Sequence, residues 1–407
     1  MAGTKDVREL LCKADKIVVK VGTSSLTHKT GKLNINGMEK LVRQLADLYN
    51  AGKSVILVTS GAVGAGMGRL NLTEKPTYMA QKQALAAIGQ GILMQIYEKL
   101  FGEHGINVAQ VLLSKEDFSH RGRYLNARNT FGALWDYGVI PIVNENDTIA
   151  FEEIKLGDND TLAALVSTLV SADLLVLLSD IDGLYTANPR TDKNARHLDV
   201  VEEITADIQA MAGGTGSNLG TGGMMTKIQA ATIACGCGIP MVLTDSCIEN
   251  GLNKITKGES NGTVFLPRER SLNSKKGWLA FGSQPVGKVF VDKGAAEAII
   301  EKGSSLLAKG IKGVEGCFAE GDIVAVVIEN AEGEEIARGL TNYGAEDIRL
   351  ITGCHSSEIP QILTGATALE VIIINTKGCP NLPQLFAGVA VFIKDQTFVK
   401  GRRLCCL

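Results

Sequence analysis

Up to about residue 267, short and nearly continuous apolar runs alternate with longer segments in which apolar residues recur every three or four positions. The runs Ile17–Val21, Ser54–Val58, Val108–Leu112, Val139–Val143, Leu174–Leu178 and Pro240–Leu243 are mostly Val, Ile and Leu, as strands are when helices cover both faces of a sheet. Between them, Met38–Asn50, Pro76–Phe101, Asn126–Tyr137, Asn159–Val170 and Met225–Ala234 carry helical periodicity and read as crossovers. The alternation predicts an α/β fold, an open and mostly parallel sheet sandwiched by helices.

Near Arg268 the pattern stops. Arg268–Lys276 is polar and basic without periodicity, so a linker is expected over 268–283, dividing a first domain at 1–267 from a second at 284–363. In the second, short elements are punctuated by glycines such as Gly303, Gly310 and Gly313, and Ile323–Ile328 and Glu335–Leu340 read as strands of a small, mainly β domain. Residues 364–407 are expected to be a divergent tail. From Asn375 it carries five Lys and Arg against one Asp and reads as a basic tail or an edge strand.

Composition narrows the function. An apolar fraction of 45% in 407 residues excludes intrinsic disorder, and a net charge of −3 gives no field that would gather nucleic acid or a membrane surface. Nine cysteines without a C-x-x-C pair argue against a zinc or disulfide framework. The long apolar stretch Leu162–Leu178 is interrupted by Ser167, Thr168, Ser171 and Asp173 and fits a helix followed by a strand better than a membrane span. Nothing near the start resembles a signal peptide and the last four residues do not match a prenylation signal, so a cytoplasmic location is expected.

Ligands of open parallel sheets lie beyond the C-terminal ends of the strands. After the apolar runs come Lys20-Val21-Gly22-Thr23-Ser24-Ser25, Thr59-Ser60-Gly61-Ala62-Val63-Gly64, Asn144-Glu145-Asn146-Asp147 and Ser179-Asp180-Ile181-Asp182-Gly183. An ammonium on a doubly buried strand needs a compensating anion, so Lys20 is read as facing a phosphate, with Gly22 opening the backbone to it. A lysine snorkelling from an edge strand is the alternative. Two nucleotide motifs fail: Arg69 stands where G-x-G-x-x-G needs its last glycine, and Lys227 follows Thr226 rather than the glycine of a P-loop. Lys227 nonetheless lies in the first turn of a helix after the glycine-rich Gly213–Gly223 segment, where a cation opposes the helix dipole. A polyphosphate between the two would account for it; a plain surface loop is the alternative. Gly157-Asp158-Asn159-Asp160 opens a helix with more acid than one cap needs, leaving a carboxylate to fix lysines or a substrate ammonium.

These segments, together with Asp182-Gly183-Leu184-Tyr185-Thr186 and Gly220-Thr221-Gly222-Gly223-Met224 followed by Lys227, resemble the glutamate 5-kinases of the amino acid kinase superfamily from about residue 15 to 267. Gly294-Ala295, Gly303-Ser304-Ser305-Leu306-Leu307, Gly321-Asp322 and Ala337-Arg338-Gly339-Leu340-Thr341-Asn342-Tyr343 resemble the PUA domain of microbial members, extending the likeness to about 373. The resemblance implies ATP-dependent phosphorylation of the side-chain carboxylate of L-glutamate with Mg2+ as helper, and feedback inhibition by proline. It implies that Lys20 and Lys227 stabilise the transferring phosphoryl group and that Asp160 holds them. By the same likeness Ser60, Asp147, Asn159 and Asn144 bind glutamate, while Ser179, Asp180, Thr221, Gly222, Gly223, Met224, Met225, Thr226 and the two lysines hold ATP. No protein metal ligand is implied.

The family forms dimers or tetramers, so a homo-oligomer is expected. With no dehydrogenase domain following, a separate glutamate-5-semialdehyde dehydrogenase is the expected partner for the labile product. The family's usual ending is replaced by Asn375-Thr376-Lys377-Gly378-Cys379 and a basic, cysteine-tipped tail. Two rivals stay open: a sister kinase acting on N-acetylglutamate, aspartate, carbamate or UMP, and an RNA-binding protein using the PUA-like domain and the basic linker.

Overall fold

The structure is a computed structural model that describes residues 4–28, 32–74, 76–149, 159–189, 192–212, 223–259, 262–267, 285–302, 304–329, 335–363 and 371–375. The expected linker, Gly157 and Asp158, the loop from Gly213 through Gly222, and the chain after Asn375 lie outside the described residues. Two compact units divide the chain, residues 1–283 and 284–407.

In the first unit the strands are β1 (Lys16–Val21), β2 (Ser54–Val58), β3 (Asn107–Leu113), β4 (Val139–Glu145), β5 (Leu174–Ser179), β6 (Leu184–Tyr185), β7 (His197–Leu198), β8 (Val200–Val201), β9 (Met241–Asp245) and β10 (Thr263–Phe265). Eight of them form one sheet in the order β3-β4-β2-β1-β5-β9-β10-β8, while β6 and β7 pair separately. The six strands from β3 across to β9 run parallel, and β10 is antiparallel to β9. The chain builds outward from β1 through β2 on one side, then returns to lay β5 and β9 on the other. That reversal beside β1 marks the place, beyond the strand ends, where ligands of open α/β sheets bind.

The apolar runs are the strands, lengthened by polar residues that periodicity does not register. β4 continues through Asn144 and Glu145, both buried. The helix expected from Met38 begins at Ile35, because Asn34 caps it by accepting from Gly37 N–H at 3.0 Å. The helix expected from Asn126 begins at Arg121, its first turn being Arg121-Gly122-Arg123. The helix Asn159–Val170 is buried along all twelve residues. It packs on β1, β2, β4 and β5 and on the helices Arg121–Asp136 and Met224–Gly236, as a helix apolar around most of its circumference should.

Two helices approach closely enough that their backbones touch. A Cβ added to Gly66 in the helix Ala62–Leu70 would lie 2.1 Å from the Leu85 carbonyl, and one on Gly89 in the helix Met79–Gly102 would lie 1.7 Å from the Ala62 carbonyl. No side chain can give way at either place. Gly89→Ala is therefore expected to destabilise the first unit by about 1–3 kcal/mol, the range for overpacking a close contact. Chemical denaturation checks this, and an unchanged midpoint would contradict it.

The second unit is a five-stranded sheet of β11 (Gly287–Val291), β12 (Ile311–Gly316), β13 (Ile323–Ile328), β14 (Glu335–Thr341) and β15 (Ile372–Asn375), in the order β12-β11-β13-β14-β15. β11 and β13 are parallel and the other pairs antiparallel. The helices Lys293–Lys302 and Ala345–Ile351 help close its core of Val289, Val291, Ile299, Val324, Val326 and Ile348. Its edge strand β15 is drawn from beyond residue 363.

Candidate active site

Lys20 is the next-to-last residue of β1, a strand paired on both sides, and is 5% exposed. It does not snorkel from an edge. Its ammonium pairs with Asp160 Oδ1, and Lys227 Nζ lies 3.1 Å from Asp160 Oδ2. Thr226 Oγ1 donates to the same Oδ2 at 3.0 Å. The three charged groups come from a strand end and two helix starts: Asp160 is the second residue of the helix Asn159–Val170, and Lys227 the fourth of the helix Met224–Gly236. Gly22, just past β1, keeps the space beside the ammonium open; a Cβ there would stand 3.6 Å from Lys20 Nζ.

Burial by itself pushes the Asp160 carboxyl up, but the adjacent Lys20 and Lys227 ammonium groups outweigh it and hold the carboxyl below its ordinary value. Two ammonium groups thus share one buried carboxylate, and where such groups are shielded from water their attraction for an anion is stronger than in bulk solvent.

Next to it lies a second, uncharged cluster. Asn159 Nδ2 donates toward the Thr59 carbonyl at 2.6 Å, Ser60 Oγ at 2.8 Å and Asn144 Oδ1 at 2.9 Å. The loop carrying Ser60 is shaped by Gly61, whose left-handed φ of 94° caps the helix Ala62–Leu70 where a side chain would be strained. The Thr59 hydroxyl meets the buried Tyr97 hydroxyl at 2.8 Å. Burial pushes the Tyr97 phenol far up, the Thr59 contact opposing it, so Tyr97 stays a neutral strut.

The structure thus brings Lys20, Asp160 and Lys227 into one cluster and Ser60, Asn144 and Asn159 into another, joined by the consecutive residues Asn159 and Asp160. Asp147 sits half-buried in the turn just beyond β4. Ser179 ends β5, beside β1, and its hydroxyl donates to Asp180 at 3.2 Å. Gly223 is the N-cap of the helix Met224–Gly236, Met225 is exposed, and Thr226 is turned to Asp160. Thr221 and Gly222 lie outside the described residues. Sequence reasoning passed over Gln90 and Tyr97, which reach the uncharged cluster from the helix Met79–Gly102. For Gln90 a signal existed: a lone polar residue between two glycines in an apolar helix, Gly89-Gln90-Gly91.

Among the described residues no group of three or more His, Cys, Asp and Glu side chains stands together to hold a metal ion. Nor, among the same residues, is any helix long and apolar enough to cross a membrane.

Comparison with known proteins identifies both domains of the chain. Residues 15–245 match the amino acid kinase family and residues 287–363 the PUA domain. The chain is 57% identical over 348 residues to the glutamate 5-kinase of Caldanaerobacter subterraneus subsp. tengcongensis, covering 86% of this chain and 93% of that protein. To the glutamate 5-kinase of Carboxydothermus hydrogenoformans it is 56% identical over 367 residues, covering 90% of this chain and 98% of the relative. To that of Nostoc punctiforme it is 50% identical over 357 residues, covering 88% and 97%.

Proposed function

The chain belongs to the amino acid kinase family and, within it, to the glutamate 5-kinases; we propose that it transfers the γ-phosphoryl group of ATP to the side-chain carboxylate of L-glutamate, giving L-glutamyl 5-phosphate and ADP. The observation that carries this reading is the convergence of Lys20 and Lys227 on Asp160, one residue away from the amide and hydroxyl cluster at Asn159.

In this reading a glutamate carboxylate oxygen bonds to the γ-phosphorus as the bond to the ADP oxygen breaks. The nucleophile needs no base, since a carboxylate is ionised at neutral pH. The obstacle is repulsion between two anions and the charge that develops on the equatorial oxygens, and two ammonium groups facing the γ-phosphate reduce both. Asp160 keeps them at the right separation, and Ser60, Asn144, Asn159 and Asp147 orient the glutamate. Ser179, Asp180 and the segment Thr221–Lys227 hold the nucleotide. The donor set near the lysines does not suit a resident magnesium ion, because Asp160 is engaged by both ammonium groups. Magnesium is expected as the companion of the ATP phosphates, and no step is assigned to it. Proline feedback, assembly into dimers or tetramers, a cytoplasmic location and delivery of the product to glutamate-5-semialdehyde dehydrogenase belong to the same proposal.

The test is to trap acyl phosphate with hydroxylamine, supplying glutamate, N-acetylglutamate, aspartate or carbamate in turn, with ADP release followed for UMP. Glutamate alone is expected to give strong product. Strong turnover of another acceptor with none of glutamate would overturn the reading. Asp147→Ala is expected to raise the KM for glutamate by about tenfold or more, as loss of a charge-assisted contact would, with kcat changed far less. An unchanged KM would remove Asp147 from the site.

A further inference from the structure

Gln90 lies midway along the helix Met79–Gly102 and is 8% exposed. Its Oε1 accepts from Asn144 Nδ2 at 2.9 Å, and its own Nε2 is buried without a partner among the described residues. This is a poor arrangement for stability, since a buried donor without an acceptor is unfavourable and an apolar side chain of similar shape would avoid it. The residue is better explained by what it does to Asn144.

The direction of the amides is set by their neighbours. Asn144 Oδ1 receives the Glu145 N–H and Asn159 Nδ2, each at 2.9 Å. Turning that carboxamide over would put donor against donor at both contacts. Asn144 Nδ2 must therefore face an acceptor, and Gln90 Oε1 supplies it. At the other end, Asn159 Nδ2 has two hydrogens and three acceptors around it: the Thr59 carbonyl, Asn144 Oδ1 and Ser60 Oγ. The first two have no hydrogen of their own, whereas the Ser60 hydroxyl keeps one to donate.

We propose that Gln90 is a positioning residue for the acceptor substrate: by accepting from Asn144 it holds the chain of amides from Asn144 through Asn159 in the one polarity that leaves the Ser60 hydroxyl as a donor to a substrate carboxylate. The proposal rests on the reading above, in which Ser60, Asn144 and Asn159 bind glutamate. It separates function from stability, because removing the Gln90 carboxamide removes an orphaned donor along with the acceptor for Asn144.

The experiment compares the full chain with Gln90→Met, and with Gln90→Leu as a second apolar replacement. The readouts are the KM for glutamate, the KM for ATP, kcat by hydroxamate formation, and Tm. Expected is a glutamate KM raised about tenfold, which is about 1.4 kcal/mol, with the KM for ATP and kcat within about twofold and Tm at or near the parent value. Combined with Asn144→Ala, Gln90→Met is expected to add nothing to the glutamate KM, since residues acting through one contact are not additive. An unchanged glutamate KM in both apolar variants would overturn the proposal. So would additive effects in the double variant, or losses in kcat and both KM values that track a fall in Tm. Failure of the parent chain to phosphorylate glutamate is a separate outcome that overturns the function reading.

Discussion

Lys227→Ala is expected to lower kcat for glutamate phosphorylation by on the order of 100-fold or more, and Lys20→Ala by a similar factor, this being the typical loss when one preorganised donor at a developing charge is removed. The loss is electrostatic in origin. Both ammonium groups are nearly buried, at 5% exposure for Lys20 and 7% for Lys227, so neither can be replaced by solvent cations without opening the crevice. Either variant still leaves Asp160 paired with the other lysine, so folding should suffer less than turnover. Steady-state hydroxamate kinetics alongside thermal melts separate the two effects. Near-normal turnover in both variants would refute the role assignment, however stable the proteins are.

Asp160→Asn is expected to have the opposite emphasis, with a large loss of stability. It removes the carboxylate that both buried ammonium groups share, and removing one partner of a buried ion pair typically destabilises by about 3–5 kcal/mol. The sign with pH comes from the lowered carboxyl. A group whose native pKa lies below its unfolded value stabilises fully above the unfolded value, here an ordinary 3.8, and the contribution disappears as pH falls through the native pKa. The stability gap between parent and variant should thus be constant near neutrality and shrink in acid below about pH 4. Urea or guanidinium titrations at several pH values check it. A gap that is absent at pH 7 would mean that the carboxylate contributes nothing to holding the lysines together.

Much of this was legible from the chain. The strands of the parallel sheet show as Val, Ile and Leu runs because burial on both faces leaves no room for alternation. The lysine on β1 was informative for the same reason: on a central strand an ammonium has no route to water. The polar ends of elements were harder to read. Asn144-Glu145 is strand by virtue of its pairing with β3 rather than its pattern, and Arg121-Gly122-Arg123 opens its helix without apolar periodicity. Gln90 and Tyr97 were missed because their partners, Asn144 and Thr59, are distant in sequence and meet them only when the sheet and the helix Met79–Gly102 pack together. The Gly66 and Gly89 contacts belong to the same class, since a glycine in a helix does not reveal whether it faces solvent or another backbone.

One backbone step separates Asn159 from Asp160, about 3.8 Å between α-carbons, and both sit at the mouth of a helix walled in along its whole length. On the proposed function, ATP and glutamate would both be gauged against this one rigid post, much as two workpieces are squared against a single fence. Replacements deep inside that helix should accordingly raise the KM values for ATP and glutamate together.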